Sequence, residues 1–198
     1  MNILPLCCFP SAVWLHLANH SAIVDVCENY VKQSFRNRFD IAGVNGKITL
    51  TIPVEGQNGN KVPFREIKIA RGIWQKQHLR SVRAAYGRSP FFEHFYPELE
   101  PLFLNPPELL ETFNLEVLKW ISLCGYKPLH QYSSSYIDAG SDDRDFRNNF
   151  EPTSQWPGLP EYLQVFSDRH PYMDHLSSID LMMNLGPALD DYLRSFEI

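Results

Sequence analysis

One stretch in the first third of the chain constrains the fold most, because two segments typical of β-strands flank an Asn-Gly pair. Residues 33–41 alternate along an extended chain, so Arg36 and Arg38 fall on one side and phenylalanines on the other. Asn45-Gly46 then precedes a β-branched run at 47–54. Because an Asn-Gly pair readily takes the positive φ angles of a tight turn, the stretch predicts a β-hairpin with two arginines on one face.

These two arginines are the first candidates for ligand binding. Two guanidinium groups on one face of a strand form a fork that suits a phosphate, a pyrophosphate or a carboxylate. The alternative is that both are solvated or pair with Glu28 and Asp40, which is usual for single arginines at a surface. The pattern does not choose between the anions, and it does not say whether the chain does chemistry on one.

Composition limits the class of protein. The chain has 198 residues, a formal net charge of -5 and a pI near 5.8. A chain of this length supports a full hydrophobic core, so a single domain over residues 1–198 is expected. Proteins that track nucleic-acid phosphates carry a basic excess, so nucleic acid is not expected as a partner.

The cysteines and histidines do not form a recognisable metal site. Two of the four cysteines are adjacent, which suits neither a zinc knuckle nor a disulfide framework, and a reducing compartment fits best. Only His16 and His20 have the spacing of a ligand pair on a helix, and His20 falls at the expected helix end. The phosphate-binding signatures G-x-G-x-x-G and GK[ST] do not occur, so no metal is expected and no cofactor is identified.

The apolar amino-terminal segment resembles a signal peptide only in part. It lacks a basic region before the apolar run, and Pro5 and Pro10 interrupt it. No uninterrupted apolar run elsewhere approaches the roughly 20 residues of a membrane span. The segment is therefore expected to form a buried strand followed by a helix, with no membrane insertion and a cytoplasmic location.

The remaining patterns predict an α/β fold. Apolar runs at 3–9 and 22–27 predict two strands, and the short helix expected between them at 12–19 favours a parallel pair with a right-handed crossover. The other expected elements are strands at 62–70 and 161–166, helices at 73–86 and 108–124, an aromatic helix at 90–104 that is bent or split by Pro97 and Pro101, and two short carboxyl-terminal helices broken at Gly186-Pro187. Together they predict a mixed β-sheet that contains the hairpin and is covered by helices mainly from the carboxyl-terminal half.

Residues 136–160 form a long polar, acidic and turn-rich stretch. A loop of this length with few apolar anchors is either functional or disordered. It is not expected to separate two domains, because the segment that follows it is too short to fold on its own.

Several separate blocks of the chain occur in the order seen in a known family. The blocks are ENYVKQSFRNRFDIAGVNGKITLTIPV, IWQKQH with AAYGRSPFFEHF, and YLQVFSDRHPYMDHLSSIDLMMNLGP. In these blocks the chain resembles the WbqC-like protein family of bacteria, in the form common among Bacteroidetes. The resemblance runs from about Leu4 to Leu193 and implies a single WbqC-like domain. Because the family is named from gene clusters for O-antigen and other surface polysaccharides, the resemblance also implies a role in polysaccharide biosynthesis.

The resemblance also implies which positions to examine. Many relatives carry a His-Gln-Pro-like element where this chain has Cys8-Phe9-Pro10, and the Bacteroidetes form has a histidine where this chain has Cys27. If either histidine were an acid-base catalyst, this chain would be altered or inactive. The positions that do match the family pattern are Arg36, Asn37, Arg38, Trp74, His78, Tyr86, Gln164, Ser177, Asp180, Asn184 and Gly186.

The candidate catalytic and polar side chains each have a structural alternative. His78 lies one helical turn from Trp74 and would be the natural general base in a cleft, although a half-buried histidine with a satisfied hydrogen bond is more common. Cys27 could be a nucleophile, although free cysteines are usually buried and unreactive. Asp180 and Asn184 could orient a sugar hydroxyl or hold a metal ion, although an acidic residue at a helix start usually caps backbone amides.

Two functional hypotheses follow. The first is a cytoplasmic transferase that acts on a nucleotide-activated sugar, with the two arginines holding the diphosphate and His78 or a carboxylate handling a proton. It predicts a pocket where the hairpin, the Trp74 helix and the terminal helix converge. The second is a non-catalytic binding or assembly subunit of the same pathway, with the aromatic segment at 91–96 and the polar loop as a partner surface. The sequence does not predict an oligomeric state.

Overall fold

The chain folds into α-helices and β-strands, as the sequence predicts. The structure, a computed structural model, describes residues 1–56, 61–127, 130–138, 140 and 143–198. Within them no helix is both long and apolar enough to cross a bilayer. The elements are β1 (Asn2–Pro5), α1 (Ala12–Ala18), β2 (Ala22–Asp25), β3 (Arg38–Gly43), β4 (Gly46–Thr51), α2 (Trp74–Tyr86), α3 (Phe92–Leu104), α4 (Leu110–Ile121), β5 (Gln131–Tyr132), β6 (Arg144–Asp145), α5 (Ser178–Leu185) and α6 (Leu189–Arg194).

A parallel sheet of four strands organises the first part of the fold. Its strand order is β5-β2-β1-β6, and all three pairings are parallel. The predicted parallel pair is confirmed, since Ile3 lies opposite Ile23 in the register of β1 and β2. Helix α1 connects the two strands, and all seven of its residues are buried. A helix that is buried on every side belongs inside a core, which accounts for a sequence that is apolar apart from His16.

The predicted hairpin is confirmed as a separate antiparallel sheet formed by β3 and β4. Gly46 has a φ of 110°, a value that favours glycine, and it supplies the positive φ that the turn needs. The strand begins only at Arg38, so the extended chain predicted at 33–37 is wrong. Gln33 has a φ of 63°, and the Ser34 hydroxyl donates to the Val31 carbonyl at 2.7 Å. Such local side-chain bonds favour a turn over a strand.

Two other predicted strands are also wrong. At 62–70 the chain forms a short 3-10 turn at Phe64–Glu66, flanked by isolated bridges rather than a ladder. At 161–166 the Gln164 side chain donates to the Met173 carbonyl at 2.9 Å and accepts from the Met173 amide at 2.9 Å. These side-chain bonds take the place of a neighbouring strand.

The aromatic helix is continuous, although it contains two prolines. Helix α3 runs through Pro97 and Pro101, both of which are exposed. The carbonyls that lose their helical donors therefore lie on the solvent side, where water can bond to them. The opposite face of the helix is buried, including Phe92, Phe95 and Tyr96. The predicted partner surface at 91–96 is therefore wrong, because its aromatic rings are part of the core.

The hydrophobic core joins the two sheets and the helices around one aromatic ring. Phe9, in the loop after β1, has its ring centroid 4.6 Å from that of Phe39 on the hairpin and 5.6 Å from that of Phe103 on α3. Its distance from the rings of Phe113 and Trp120 on α4 is 6.0 Å in each case. The loop after β1 is therefore fixed by packing against three other elements.

A buried ion pair holds the turn that precedes the hairpin. Arg36 is fully buried, and its Nε donates to Oε1 of Glu28 at 2.8 Å. One guanidinium nitrogen also donates to the Arg147 carbonyl at 3.0 Å, and Asn114 donates to the Arg36 carbonyl at 2.8 Å. Burial raises the pKa of Glu28, and the guanidinium of Arg36 opposes that rise. The arginine expected to bind a ligand therefore binds the protein itself.

A second ion pair attaches the long polar loop to the sheet. Arg147 donates to the carboxylate of Asp25 at 2.7 Å and to that of Asp145 at 2.7 Å. Asp25 ends β2 and Asp145 ends β6, the two strands on either side of β1, so Arg147 ties the loop across the carboxyl ends of the sheet. The predicted loop at 136–160 includes residues 139, 141 and 142, which lie outside the described residues. Its described part contributes β6 and a buried arginine to the fold.

The Arg36 pair makes a quantitative prediction for stability. Replacing Arg36 with Met leaves the Glu28 carboxylate buried without its partner, which costs about 3–5 kcal/mol in such pairs. We expect the free energy of unfolding in urea to fall by about that amount. The matched control is Lys68→Met, which breaks an exposed pair with Glu108 and is expected to leave stability almost unchanged. Equal small changes in both variants would contradict a structural role for Arg36.

Candidate functional site

The topology of the parallel sheet points to one place for a ligand. From β1 the chain passes through α1 to β2 on one side, while β6 lies on the other side of β1. In open parallel sheets, ligands bind in the crevice outside the carboxyl ends of the strands at such a switch point. A cavity of about 100 Å³ lies there, between the loop after β1 and the segment after β6. We call it the switch-point cavity.

The walls of the switch-point cavity are aromatic, with polar groups between the rings. The aromatic and other apolar residues are Cys7, Phe9, Pro10, Phe35, Phe39, Phe150, Pro152 and Trp156. The polar residues are Ser11, Asp40, Lys47, Glu151, Ser154, His175 and Ser177. At about 10–15 Å³ for each water-sized group, the cavity holds roughly seven to ten such groups, which is comparable with one sugar ring.

The hairpin supplies a cation and an anion to this cavity. Asp40 lies opposite Thr49 and Ala42 lies opposite Lys47 in the register, so the polar members share one face. The Thr49 hydroxyl donates to the Asp40 carboxylate at 2.6 Å, and Lys47 Nζ lies 3.8 Å from the same carboxylate. Lys47 also donates to the Asp174 carbonyl at 3.1 Å. The ammonium group is therefore positioned from both sides while its side chain remains 41% exposed.

A histidine and an aspartate before α5 form the opposite side of the site. His175 Nε2 lies 3.5 Å from the carboxylate of Asp174, which also accepts from the Leu159 amide at 3.1 Å. Burial lowers the pKa of His175, and the Asp174 carboxylate opposes that effect. The imidazole is therefore uncharged at neutral pH, and a neutral imidazole can accept a proton.

Two residues at the cavity have backbone conformations that are uncommon without glycine. Phe9 has a φ of 45° and His175 a φ of 57°. Such conformations persist only where the surrounding structure enforces them, and they concentrate at ligand sites. Phe9 is held by its aromatic neighbours, and its carbonyl accepts from the Ser178 amide.

Ser177 brings a free hydroxyl to the same place. It precedes α5, its amide donates to the Asp40 carbonyl at 2.8 Å, and it forms a bridge with Ser11. Its Oγ is buried and has no hydrogen-bond partner among the residues that the structure describes. A buried hydroxyl without a partner is destabilising unless a ligand or water bonds to it.

The donor set of the cavity suits an organic ligand with several hydroxyl groups. Within the described parts of the chain, no three His, Cys, Asp or Glu side chains come together as a metal site. The cavity instead combines an ammonium group, an imidazole, carboxylates and hydroxyls with aromatic faces. Aromatic walls with a few oriented hydrogen-bonding groups are typical of small-molecule sites.

Comparison with known proteins supports the family suggested by the sequence. The model of the WbqC-like protein family matches residues 14–144, about two thirds of the chain. The chain belongs to the WbqC-like protein family. No curated protein and no solved structure matches it. The WbqC-like match includes Lys47 and the whole hairpin, whereas His175 and Ser177 lie beyond it.

The WbqC-like arginine positions do not form the predicted fork. Arg36 is enclosed in its ion pair, and Arg38 begins β3 opposite Thr51. Asn37, between them, donates to the Ile52 carbonyl at 2.9 Å and so fixes the start of the hairpin. Since Arg36 lies in a turn and is fully buried, the two guanidinium groups do not share an exposed strand face.

Trp74 and His78 are brought together, but they face the core. The Nδ1 atom of His78 lies 2.6 Å from the Trp74 carbonyl, and the two rings are 5.3 Å apart. Trp74 donates its indole hydrogen to the Ala70 carbonyl at 2.9 Å. His78 packs 6.0 Å from Phe39, whose ring lines the switch-point cavity. The histidine therefore supports the cavity wall and does not line the cavity.

Four further candidate residues from the sequence meet around one buried carboxylate. Asp180 is fully buried and accepts hydrogen bonds from Tyr162 at 2.5 Å and from Gln164 at 3.4 Å. Asn184 donates to the Asp180 carbonyl at 2.9 Å, and Tyr86 accepts from the Ala42 amide at 2.9 Å. Burial raises the pKa of Tyr86, and the nearby Asp180 carboxylate adds to that rise. This group links α2, α5 and the segment before α5 to the hairpin.

Cys8 and Cys27 lie at the carboxyl edge of the parallel sheet. Cys27 is half-buried, its amide donates to Asp25 at 3.0 Å, and its Sγ lies 3.8 Å from the Ser133 carbonyl. Cys8 is buried, and burial raises its pKa well above the ordinary value. A thiol with a raised pKa is protonated at neutral pH, so Cys8 is a poor nucleophile.

The sequence predicted one pocket where the hairpin, the Trp74 helix and the terminal helix meet. The residues expected to line that pocket do not line a cavity together. Of four cavities lined by described residues, none is lined by Arg36, Arg38, Trp74 or His78. Sequence reasoning missed Lys47 and His175. The alternation that places Lys47 and Thr49 on one face was a usable signal.

The buried Asp180 carboxyl predicts a pH effect with a definite sign. Burial raises its pKa above the ordinary value of 3.8, so its contribution to stability is present below that value and is lost as pH rises through the raised pKa. Asp180→Asn keeps an acceptor oxygen but does not ionise. From about pH 3.5 to about pH 7, we expect the unfolding free energy of the wild type to fall relative to that of the variant. Urea unfolding of both proteins measures this difference, and a pH-independent difference would contradict the raised pKa.

Proposed function

We propose that this WbqC-like protein is an enzyme of surface-polysaccharide biosynthesis, of the O-antigen type, that acts on a nucleotide-activated sugar by group transfer. The observation that carries the proposal is the switch-point cavity, where aromatic walls surround Lys47, His175 and the free hydroxyl of Ser177. Aromatic faces pack against the apolar side of a sugar ring, and the polar groups can bond to its hydroxyls. The association of the family with polysaccharide gene clusters supports the same class of substrate.

The polar groups have distinct roles in a transfer reaction. The uncharged imidazole of His175 takes the proton of the attacking hydroxyl as its oxygen forms a bond to the sugar carbon. The bond from that carbon to the diphosphate breaks, and its electron pair leaves with the nucleoside diphosphate. Lys47, whose ammonium group is directed at the cavity, stabilises the negative charge that develops there. Asp174 orients the imidazole and stabilises its protonated form.

A second candidate function is a non-catalytic binding subunit of the same pathway. The cysteines favour it, because Cys8 and Cys27 stand where relatives carry histidines and Cys8 is protonated at neutral pH. In this function the cavity would bind the same sugar without turnover. The two candidates therefore share a ligand and differ in the need for a proton acceptor.

Binding tests the shared part of the proposal. At ligand concentrations of about 100 times Kd, binding stabilises the folded state by about 2.7 kcal/mol, so UDP-, dTDP- and GDP-sugars are screened by thermal unfolding. We expect one class to raise the Tm by about 5–10 °C. Lys47→Met should weaken its binding by about tenfold or more, because a hydrogen bond to a charged group is lost. Lys119→Met removes the same charge from the exposed face of α4 and should leave binding unchanged.

His175→Asn separates catalysis from binding. Asparagine tolerates the positive φ at this position, so the variant should fold, but its amide does not accept a proton at neutral pH. The assay uses the sugar donor identified by screening. If the protein is an enzyme, the His175→Asn variant should keep its ligand affinity within about threefold and lose about 100-fold or more in kcat. Release of nucleoside diphosphate measures kcat. Unchanged turnover would exclude His175 as the base, and binding without turnover in the wild type would favour the binding subunit.

A further inference from the structure

The switch-point cavity is the first of three cavities that follow one another along the hairpin turn. Lys47 also lines a second cavity of about 370 Å³, which lies between the hairpin turn and helix α2. That cavity shares Val44, Ala84, Ala85 and Phe166 with a third one of about 490 Å³. We call the third cavity the arginine cleft; it is lined by Val44, Arg83, Ala84, Ala85, Gly87, Arg88, Val165, Phe166, Asp168 and Arg169.

The arginine cleft carries three guanidinium groups and one carboxylate among its described residues. Arg88 is exposed and has no hydrogen bond or ion pair with any described residue. Arg169 lies 3.6 Å from Asp168, and both side chains are more than half exposed. Arg83 lies 3.4 Å from Glu100 and is 64% exposed. Arg83 also donates to the Tyr96 hydroxyl at 3.3 Å and lies 5.0 Å from the centre of its ring, so α3 holds it. The exposed pair of Arg169 is weak, so Arg88 and Arg169 can turn towards a ligand.

Charge alone would not assign a ligand to this cleft. Helix α2 ends at Tyr86, and basic side chains near the carboxyl end of a helix are favourable without any ligand. The size and position of the cavities are a second observation, besides charge, that supports a ligand in this cleft. The switch-point cavity has room for about one sugar ring, whereas a nucleotide-activated sugar needs a site of about 300–1,000 Å³. The larger part of such a ligand must therefore lie in a neighbouring cavity.

We propose that the diphosphate of the activated sugar extends from Lys47 along the second cavity to the arginine cleft while its sugar ring occupies the switch-point cavity. This inference rests on the proposed function. Guanidinium groups bond to phosphate oxygens in pairs, and they are the preferred partners of planar and branched anions. Lys47 lines both the switch-point cavity and the second cavity, and the second cavity shares the apolar surface of Val44, Ala84 and Phe166 with the cleft.

The hairpin turn is fixed between the two parts of this site. His170 Nε2 lies 2.5 Å from the Val44 carbonyl, and Lys47 donates to the Asp174 carbonyl on the other side of the turn. Both bonds hold the turn to the segment that carries Arg169 and His175. The distance between the cleft and the switch-point cavity is therefore set before a ligand arrives, which reduces the entropy lost on binding.

The experiment compares two double variants by calorimetric titration. Arg88→Ala with Arg169→Ala removes two cations from the cleft, whereas Arg65→Ala with Arg80→Ala removes two exposed cations elsewhere. The probes are inorganic pyrophosphate, UDP, dTDP, GDP and the corresponding nucleotide sugars. We expect the cleft variant to bind the preferred diphosphate at least about tenfold more weakly and with a smaller salt dependence, and the control variant to match the wild type. Both variants should unfold at the wild-type urea concentration.

Each result decides between this inference and the proposed function. If a nucleotide sugar binds the cleft variant as tightly as the wild type, the diphosphate lies elsewhere and the inference is wrong. If no nucleotide sugar binds the wild type, but pyrophosphate does and the cleft variant loses it, the cleft is a diphosphate site and only the proposed function fails. If the wild type binds neither pyrophosphate nor any nucleotide, both are wrong.

Discussion

The buried ion pair between Arg36 and Glu28 is the interaction on which the site depends. The pair fixes a turn that contacts the walls of the switch-point cavity through Phe35. The Cys8 amide donates to the Phe35 carbonyl at 2.8 Å, and the Phe35 amide donates to the Phe150 carbonyl at 3.0 Å. The loop after β1 and the segment after β6 are therefore joined through one residue next to a buried charge. A buried pair contributes little net stability, but leaving one partner alone is strongly unfavourable, so the pair enforces one geometry.

Local patterns predicted those parts of the fold that local interactions determine. The parallel pair, the hairpin, α2, α4 and α5 follow from apolar periodicity and from turn residues such as Gly46, and the structure contains each of them. The errors occurred where a side chain replaced a backbone partner. Ser34 turned the predicted strand at 33–37 into a turn, and Gln164 did the same at 161–166 by bonding to Met173. Alternation of residues does not reveal such bonds.

The site was harder to predict than the fold, because its members come from distant parts of the chain. An arginine in a polar run gives no sign of its burial, and burial decided that Arg36 binds Glu28 instead of a ligand. His78 had the expected helix and the expected neighbour, yet its ring lies behind Phe39 and not in the cavity. Lys47 and His175 meet only through the docking of the hairpin turn on the segment before α5, and that contact has no local sequence signal.

The two shortest strands have a consequence for the behaviour of the protein in solution. Strands β5 and β6 form the two borders of the parallel sheet, each has only two residues, and all four of those residues are exposed. Three of the four are polar or charged, so neither border offers a long flat row of free amides to another molecule. The hydrophobic inner strands are thereby shielded against intermolecular pairing, and this protection against aggregation comes from two short polar segments that close the sheet.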